Sequence, residues 1–217
     1  MNEELFQKMA QSVLDGDSDA ADALAKQAIE TGVDPLEAIS KGFVVGVNKV
    51  GESFANGEAF LPELVMAGEM LRQISDIVKP LVKGGIETKR LGKVIIGTVE
   101  GDIHDIGKDI VVFMLDVNGF EVIDLGIDVP VNKFVDAIKE SKAPVVGLSG
   151  FLTLAFDSMK TTVDAISKAG LRDKVKIMIG GGQIDDDVRK YTGADAYGLD
   201  AMEAVSLTKK WIGTSAV

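Results

Sequence analysis

One histidine occurs in the 217 residues, within the stretch Val99-Glu100-Gly101-Asp102-Ile103-His104-Asp105-Ile106-Gly107-Lys108. An apolar run, Val94 to Val99, leads into this stretch, and an amphipathic run from about Gly107 to Asn118 leads out of it. Imidazole ligates metals and moves protons near neutral pH, and any chemistry this chain does through an imidazole passes through His104. Carboxylates stand beside it at Asp102 and Asp105. With no cysteine in the chain, thiolate metal sites, iron–sulfur clusters, disulfides and cysteine nucleophiles are excluded.

Four chemistries compete for this loop. A phosphate-binding loop fails on spacing: five residues, not four, separate Gly101 from Gly107, and Asp109 stands where Ser or Thr must hold magnesium. A hydrolytic metal site built from Asp102, His104 and Asp105 has suitable oxygen and imidazole donors but no second histidine to complete a zinc set. A purely structural role makes His104 part of a helix cap. The fourth reading is a single axial ligand: one imidazole nitrogen on a metal whose remaining ligands come from a macrocycle, the other nitrogen donating to Asp102. Glycines at 107, 180, 181 and 182 would let a bulky cofactor approach the backbone.

The elements that position these residues fall into two halves. Residues 1–83 read as helix throughout, with apolar side chains at three- and four-residue spacing: Leu5, Met9, Val13; Ala21, Leu24, Ala28; Leu36, Ile39, Phe43, Val47, Val50. Asp34-Pro35 is a helix start, and Leu61-Pro62 is another. Four helices with short connections predict an antiparallel bundle. Residues 84–92, polar and glycine-bearing, read as a linker. Residues 93–217 alternate apolar strands (94–99, 121–125, 145–149, 175–179, 196–198) with helices (107–118, 131–141, 155–169, 184–191, 201–212). That grammar predicts a Rossmann-like, flavodoxin-like doubly wound sheet of five parallel strands. Ligands of such sheets sit beyond the carboxyl ends of the strands. There the sequence places the His104 loop, Ser149-Gly150-Phe151-Leu152-Thr153, Gly180-Gly181-Gly182 and Tyr197-Gly198.

A net charge of −11 argues against nucleic acid as a partner, because phosphate binding requires displacement of counterions by Lys and Arg. No run approaches the roughly 20 apolar residues of a membrane span. The acidic N-terminus lacks a signal-peptide layout, so a cytoplasmic location is expected.

Asp102-x-His104-x-x-Gly107, then Ser149, then Gly180-Gly181, resembles the cobalamin-binding signature of the methionine synthase and corrinoid-protein family. Val50-Gly51-Glu52-x-Phe54 and Phe60-Leu61-Pro62-Glu63 resemble the family's helical cap, so the likeness runs through nearly the whole chain. It implies a corrinoid shuttle of a multi-component methyltransferase system, a methyl-carrying component rather than a complete enzyme. Cobalamin would bind with its own base displaced, His104 as axial cobalt ligand and Asp102 accepting the other ring N–H. Asp105, Ile106 and Gly107 would lie against the cofactor. Ser149, Phe151, Thr153, Gly180, Gly181, Tyr197 and Gly198 would line the channel for its nucleotide tail, and Phe60 would shield the methyl group. The implied partners are a substrate-specific methyltransferase, a second methyltransferase acting on tetrahydrofolate or a thiol coenzyme, and a reductive activation protein. Two positions depart from the pattern: Phe151 stands where leucine is usual, and Ala155 where methionine synthase continues its proton relay with serine. Cobalamin-dependent sensors share the architecture and form the alternative function, acting here through a protein partner.

Overall fold

The computed structural model describes residues 2–78 and 90–213, in two compact units, Met1–Thr88 and Lys89–Val217. In the first unit, α1 (Asn2–Leu14), α2 (Ser18–Glu30), α3 (Pro35–Glu37) running on into α4 (Val44–Ala55), and α5 (Leu61–Val78) form the four-helix bundle. The Asp34 side chain accepts the N–H groups of Leu36 and Glu37 at 2.8 and 3.0 Å, and Pro35 occupies the first helical position. Asp17 caps α2 in the same manner. Met9, Phe43, Val47, Leu64, Met70 and Ile74 fill the core.

One feature of the bundle departs from the helical reading. Residues Ala38–Phe43, between α3 and α4, form a π-helical turn in which the Val44 N–H donates to Ile39 O. The π turn and α4 pack against α1 so closely that a Cβ at Gly42, within the turn, would lie 2.7 Å from the Met9 sulfur. At Gly46 it would lie 2.6 Å from the Ala10 carbonyl. The two glycines are four residues apart, one helical turn, so both can face α1.

The second unit is the doubly wound sheet. Its strands are β1 (Lys93–Thr98), β2 (Glu121–Asp124), β3 (Val145–Ser149), β4 (Lys176–Gly180) and β5 (Ala196–Gly198), all parallel, in the order β2-β1-β3-β4-β5. Helices α6 (Ile106–Val117) and α10 (Ala201–Ile212) pack together over one face. Helices α7 (Val131–Ser141), α8 (Ala155–Lys168) and α9 (Asp186–Thr192) pack over the other. Strands covered on both sides must be apolar at successive positions, and Val94, Ile95 and Ile96 are all buried.

The boundaries differ from the sequence reading by one or two residues, for local reasons. Val99 leaves β1 and pairs with Val129 as an isolated bridge. Helix α9 starts at Asp186 rather than residue 184 because Asp185 is its N-cap, accepting the N–H groups of Asp187 and Val188. Residues 84–89 of the expected linker lie outside the described residues. Residues 90–92 are tied to the second unit: Arg90 donates to the Phe120 carbonyl, and the Leu91 N–H donates to Gly119 O.

Candidate functional site

With this strand order, the sheet reverses direction of growth between β1 and β3, the switch point where ligands of such folds bind. The loops that leave those two strands carry Asp102 and His104 on one side and Gly150 to Leu154 on the other. They are joined by a single buried carboxylate.

Asp102 is 1% exposed and accepts four hydrogen bonds. Its Oδ1 takes the His104 N–H at 3.0 Å and the His104 ring at Nδ1, 2.6 Å away. Its Oδ2 takes the backbone N–H groups of Phe151 at 2.6 Å and Leu152 at 3.0 Å. Burial alone would push this carboxyl up. The N–H groups of Leu152, His104 and Phe151 and the imidazole outweigh it, holding the carboxyl well below the usual carboxylate range. An ionised carboxylate only accepts, so the proton of the shared hydrogen bond belongs to Nδ1. The neutral ring then presents the lone pair of Nε2. Because the His104 side chain is half exposed, that nitrogen is offered outward. The same occupancy argues against a hydrolytic metal at Asp102, since both oxygens already serve N–H donors. Ala155, buried at the start of α8, carries no hydroxyl, and the partners of Asp102 Oδ2 are backbone N–H groups, which donate but do not relay a proton.

Around His104 the rim is apolar and open. Ile103 is 67% exposed, Ile106 68%, Phe151 53%, Leu154 76% and Leu199 74%. Isolated exposed apolar residues are ordinary, but several on one rim of a domain mark a binding surface. The Phe151 ring lies 4.7 Å from the imidazole, centroid to centroid. Gly107, in the first turn of α6, leaves open space where a Cβ would sit. Asp105 precedes that helix, with its side chain exposed and making no cap hydrogen bond.

A second group lies across the strand ends. Register places Thr98 beside Ser149, Ser149 beside Gly180, and Gly180 beside Gly198. These four therefore form one row on one face of the sheet, and a Cβ at Gly180 would come no nearer than 3.6 Å to the Gly198 carbonyl. Gly181 differs: its φ is +142° and a Cβ would fall 1.8 Å from the Gly150 carbonyl, so only glycine fits there. Thr153 is exposed in the β3–α8 loop. The Tyr197 side chain is not brought to this row. It points to the opposite face, packing against the core under α7 and α8. Phe60 belongs to the helical unit, where it directly precedes α5, is 72% exposed, and donates its N–H to Glu63 Oε2 at 2.6 Å.

Two supporting residues escaped the sequence reading, and a third, Gly182, has a different neighbour from the one expected for it. Lys108, buried in the first turn of α6, donates to Asp109 Oδ1 and Asp124 Oδ2, each at 2.6 Å. Burial opposes its charge, but the two carboxylates hold its ammonium above the usual lysine value. A cation in the first turn opposes the helix dipole, and that misfit was the available signal. Asp128, at φ +49°, accepts the Gly101 N–H at 2.8 Å and donates its own N–H to Asp102 O at 3.0 Å. Gly182 lies against the Phe151 ring.

Comparison with known proteins gives one family for both halves. B12 binding domains match residues 92–206 and residues 5–79. The trimethylamine corrinoid protein of Methanosarcina barkeri is 43% identical over 208 residues, covering 95% of this chain and 96% of the relative. A cobalamin-binding protein from Desulfitobacterium hafniense DCB-2 superposes with a TM-score of 0.80 at 42% identity, over 94% of this chain and 96% of that one. A chain of the methanol:cobalamin methyltransferase complex from Methanosarcina barkeri superposes with a TM-score of 0.79 at 28% identity, over 98% and 81% of the two chains. The chain is thus a member of the B12-binding corrinoid proteins of methyltransferase systems.

Proposed function

We propose that the chain is a methyl shuttle that holds cobalamin with the cofactor's own base displaced and His104 as the axial cobalt ligand. The carrying observation is the Asp102–His104 pair: a buried, ionised carboxylate fixes Nδ1 as the donor and leaves Nε2 aimed out of the protein. The apolar side chains Ile103, Ile106, Leu154 and Leu199, exposed at the carboxyl ends of the strands, support a flat macrocycle as the ligand. When bound, the corrinoid supplies the cobalt that accepts and gives up the methyl group.

The chain's own groups do the rest. Asp102 orients the imidazole. Asp105, Ile106 and Gly107 border the ring on the His104 side. The row Ser149, Gly180, Gly198, with Thr153 and Gly181 nearby, receives the displaced nucleotide tail where side chains are small or absent. Phe151 packs at the mouth of that channel. Phe60, in the helical unit, would contribute an exposed apolar ring to the cofactor. Relatives named for trimethylamine and dimethylamine support a donor among methylated amines. A substrate-specific methyltransferase would load the chain, a second one acting on tetrahydrofolate or a thiol coenzyme would unload it, and a reductive activation protein would restore it. These steps belong to the cytoplasm.

The test supplies the cobalamin-loaded chain with trimethylamine, dimethylamine or methanol labelled in the methyl carbon and the methyltransferase specific for each. Label that migrates with the chain, from one donor, supports the shuttle. Label that never leaves the donor, together with a light-induced change of oligomeric state when adenosylcobalamin is bound, would establish a sensor instead.

A further inference from the structure

Phe151 is tied to the axial pair twice. Its backbone N–H donates to Asp102 Oδ2, and its ring lies 4.7 Å from the His104 ring at an interplanar angle of 34°. The ring also rests on Gly182, where a Cβ would fall 2.4 Å from Phe151 Cε2. Gly182 has no positive φ, so the backbone does not require glycine there. The Phe151 ring does. Three loops, after β1, β3 and β4, therefore bring Gly182, Phe151 and His104 together.

This packing controls the one motion the Asp102 bond leaves open. An imidazole anchored only through Nδ1 can still pivot about that hydrogen bond and swing Nε2 off the cofactor axis. A ring packed on its face limits that pivot. Leucine, the residue usual at this place, would fill the space without offering an aromatic face.

We propose that Phe151 is a positioning residue for His104: braced by Gly182, its ring holds the imidazole in the ligating orientation before the corrinoid arrives. The functional consequence rests on the reading of His104 as the cobalt ligand, but the brace itself is a property of the protein alone.

The experiment uses the full chain labelled with ¹⁵N-histidine, in which the single histidine gives one imidazole spin system. Wild type, Phe151→Leu, Gly182→Ala, the double variant and Phe151→Tyr are compared, with folding checked from the dispersed amide spectrum. Without cofactor, exchange of the Nδ1 proton with water should accelerate about three- to tenfold in Phe151→Leu, the range an aromatic pair supports. Gly182→Ala, which can act only by displacing the ring, should move it the same way. In the double variant Gly182→Ala should add nothing, because its target is gone. Phe151→Tyr should restore the wild-type rate. After loading with cobalamin and reduction to cobalt(II), the fraction of spectrum showing histidine nitrogen coupling should fall in the same order. Unchanged exchange in both single variants, or additive effects in the double, would overturn the proposal. Altered exchange without any histidine coupling in wild type would leave the brace standing and remove the axial-ligand reading instead.

Discussion

At the scale of single residues, Asp102 carries more of the site than any other side chain. Its carboxylate ties the two loops of the switch point together, with four N–H donors on two oxygens. Asp102→Asn keeps the size but turns an NH₂ toward one of the two donor pairs, leaving buried N–H groups facing each other. Loss of about 2–4 kcal/mol of unfolding free energy is expected, since hydrogen bonds to charged groups are the costly ones to break. The same substitution should weaken cobalamin retention, because the imidazole loses its orienting partner. Urea unfolding and equilibrium dialysis measure the two effects. Gly180 and Gly181 separate folding from binding more sharply. Gly181→Ala meets the Gly150 carbonyl and should lose about 3 kcal/mol or more. Gly180→Ala meets nothing closer than 3.6 Å, so the cofactor-free protein should melt as wild type while cobalamin affinity falls.

At the scale of elements, the loops are held by neighbours remote in sequence. Lys108 joins the first turn of α6 to the end of β2 through Asp124, whose other oxygen accepts the Gly126 N–H. Lys108→Met, similar in shape but uncharged, should cost about 2 kcal/mol, less than a fully buried pair because Asp109 and Asp124 are partly solvated. Between β4 and β5, Asp195 accepts the Ile177 N–H at 2.8 Å and pairs with Arg172 at 3.0 Å and Lys176 at 3.3 Å. Burial would raise this carboxyl, but those partners hold it below the usual range. Its folded value lies under its unfolded value of about 3.9, so its stabilisation is complete above that pH and is lost as pH falls through the folded value. The stability difference between wild type and Asp195→Asn should therefore stay constant from neutrality down to about pH 5 and shrink below about pH 4. Denaturant midpoints across that range decide it.

The legible and illegible parts of the sequence divide at this scale. Alternation of apolar strands with amphipathic helices is a local pattern, and each strand and helix of the second unit lies within two residues of its reading. Asp34 announced a helix start through its own chemistry. The π turn at Ala38–Phe43 was hidden because the spacing of Leu36, Ile39, Phe43 and Val47 suits an uninterrupted α-helix equally well. Lys108 and Asp128 were hidden for a different reason: their partners lie across loops, where residue type sets no register. The opposite orientation of Tyr197 follows from strand parity, which a three-residue strand does not reveal by pattern alone.

At the scale of the whole molecule, one chain combines a helical unit that exposes Phe60, Leu61, Val65 and Met66 with a sheet unit that exposes an apolar rim around its only histidine. Among the described residues no helix is long and apolar enough to cross a membrane. Phe60 makes no core contribution to its own unit at 72% exposure, so Phe60→Ala should change unfolding free energy by less than about 0.5 kcal/mol. If its ring shields the cofactor, the loaded variant should oxidise in air several-fold faster than wild type, followed by visible absorption.

The central claim is that His104 ligates cobalt in place of the cofactor's base. The most direct measurement is the electron paramagnetic resonance spectrum of the cobalamin-loaded chain in the cobalt(II) state, with ¹⁵N placed first in histidine and then in the cofactor's base. The account predicts nitrogen splitting that changes with labelled histidine, is indifferent to a labelled base, and vanishes in His104→Ala. Splitting that follows the base label, or survives in His104→Ala, would contradict it.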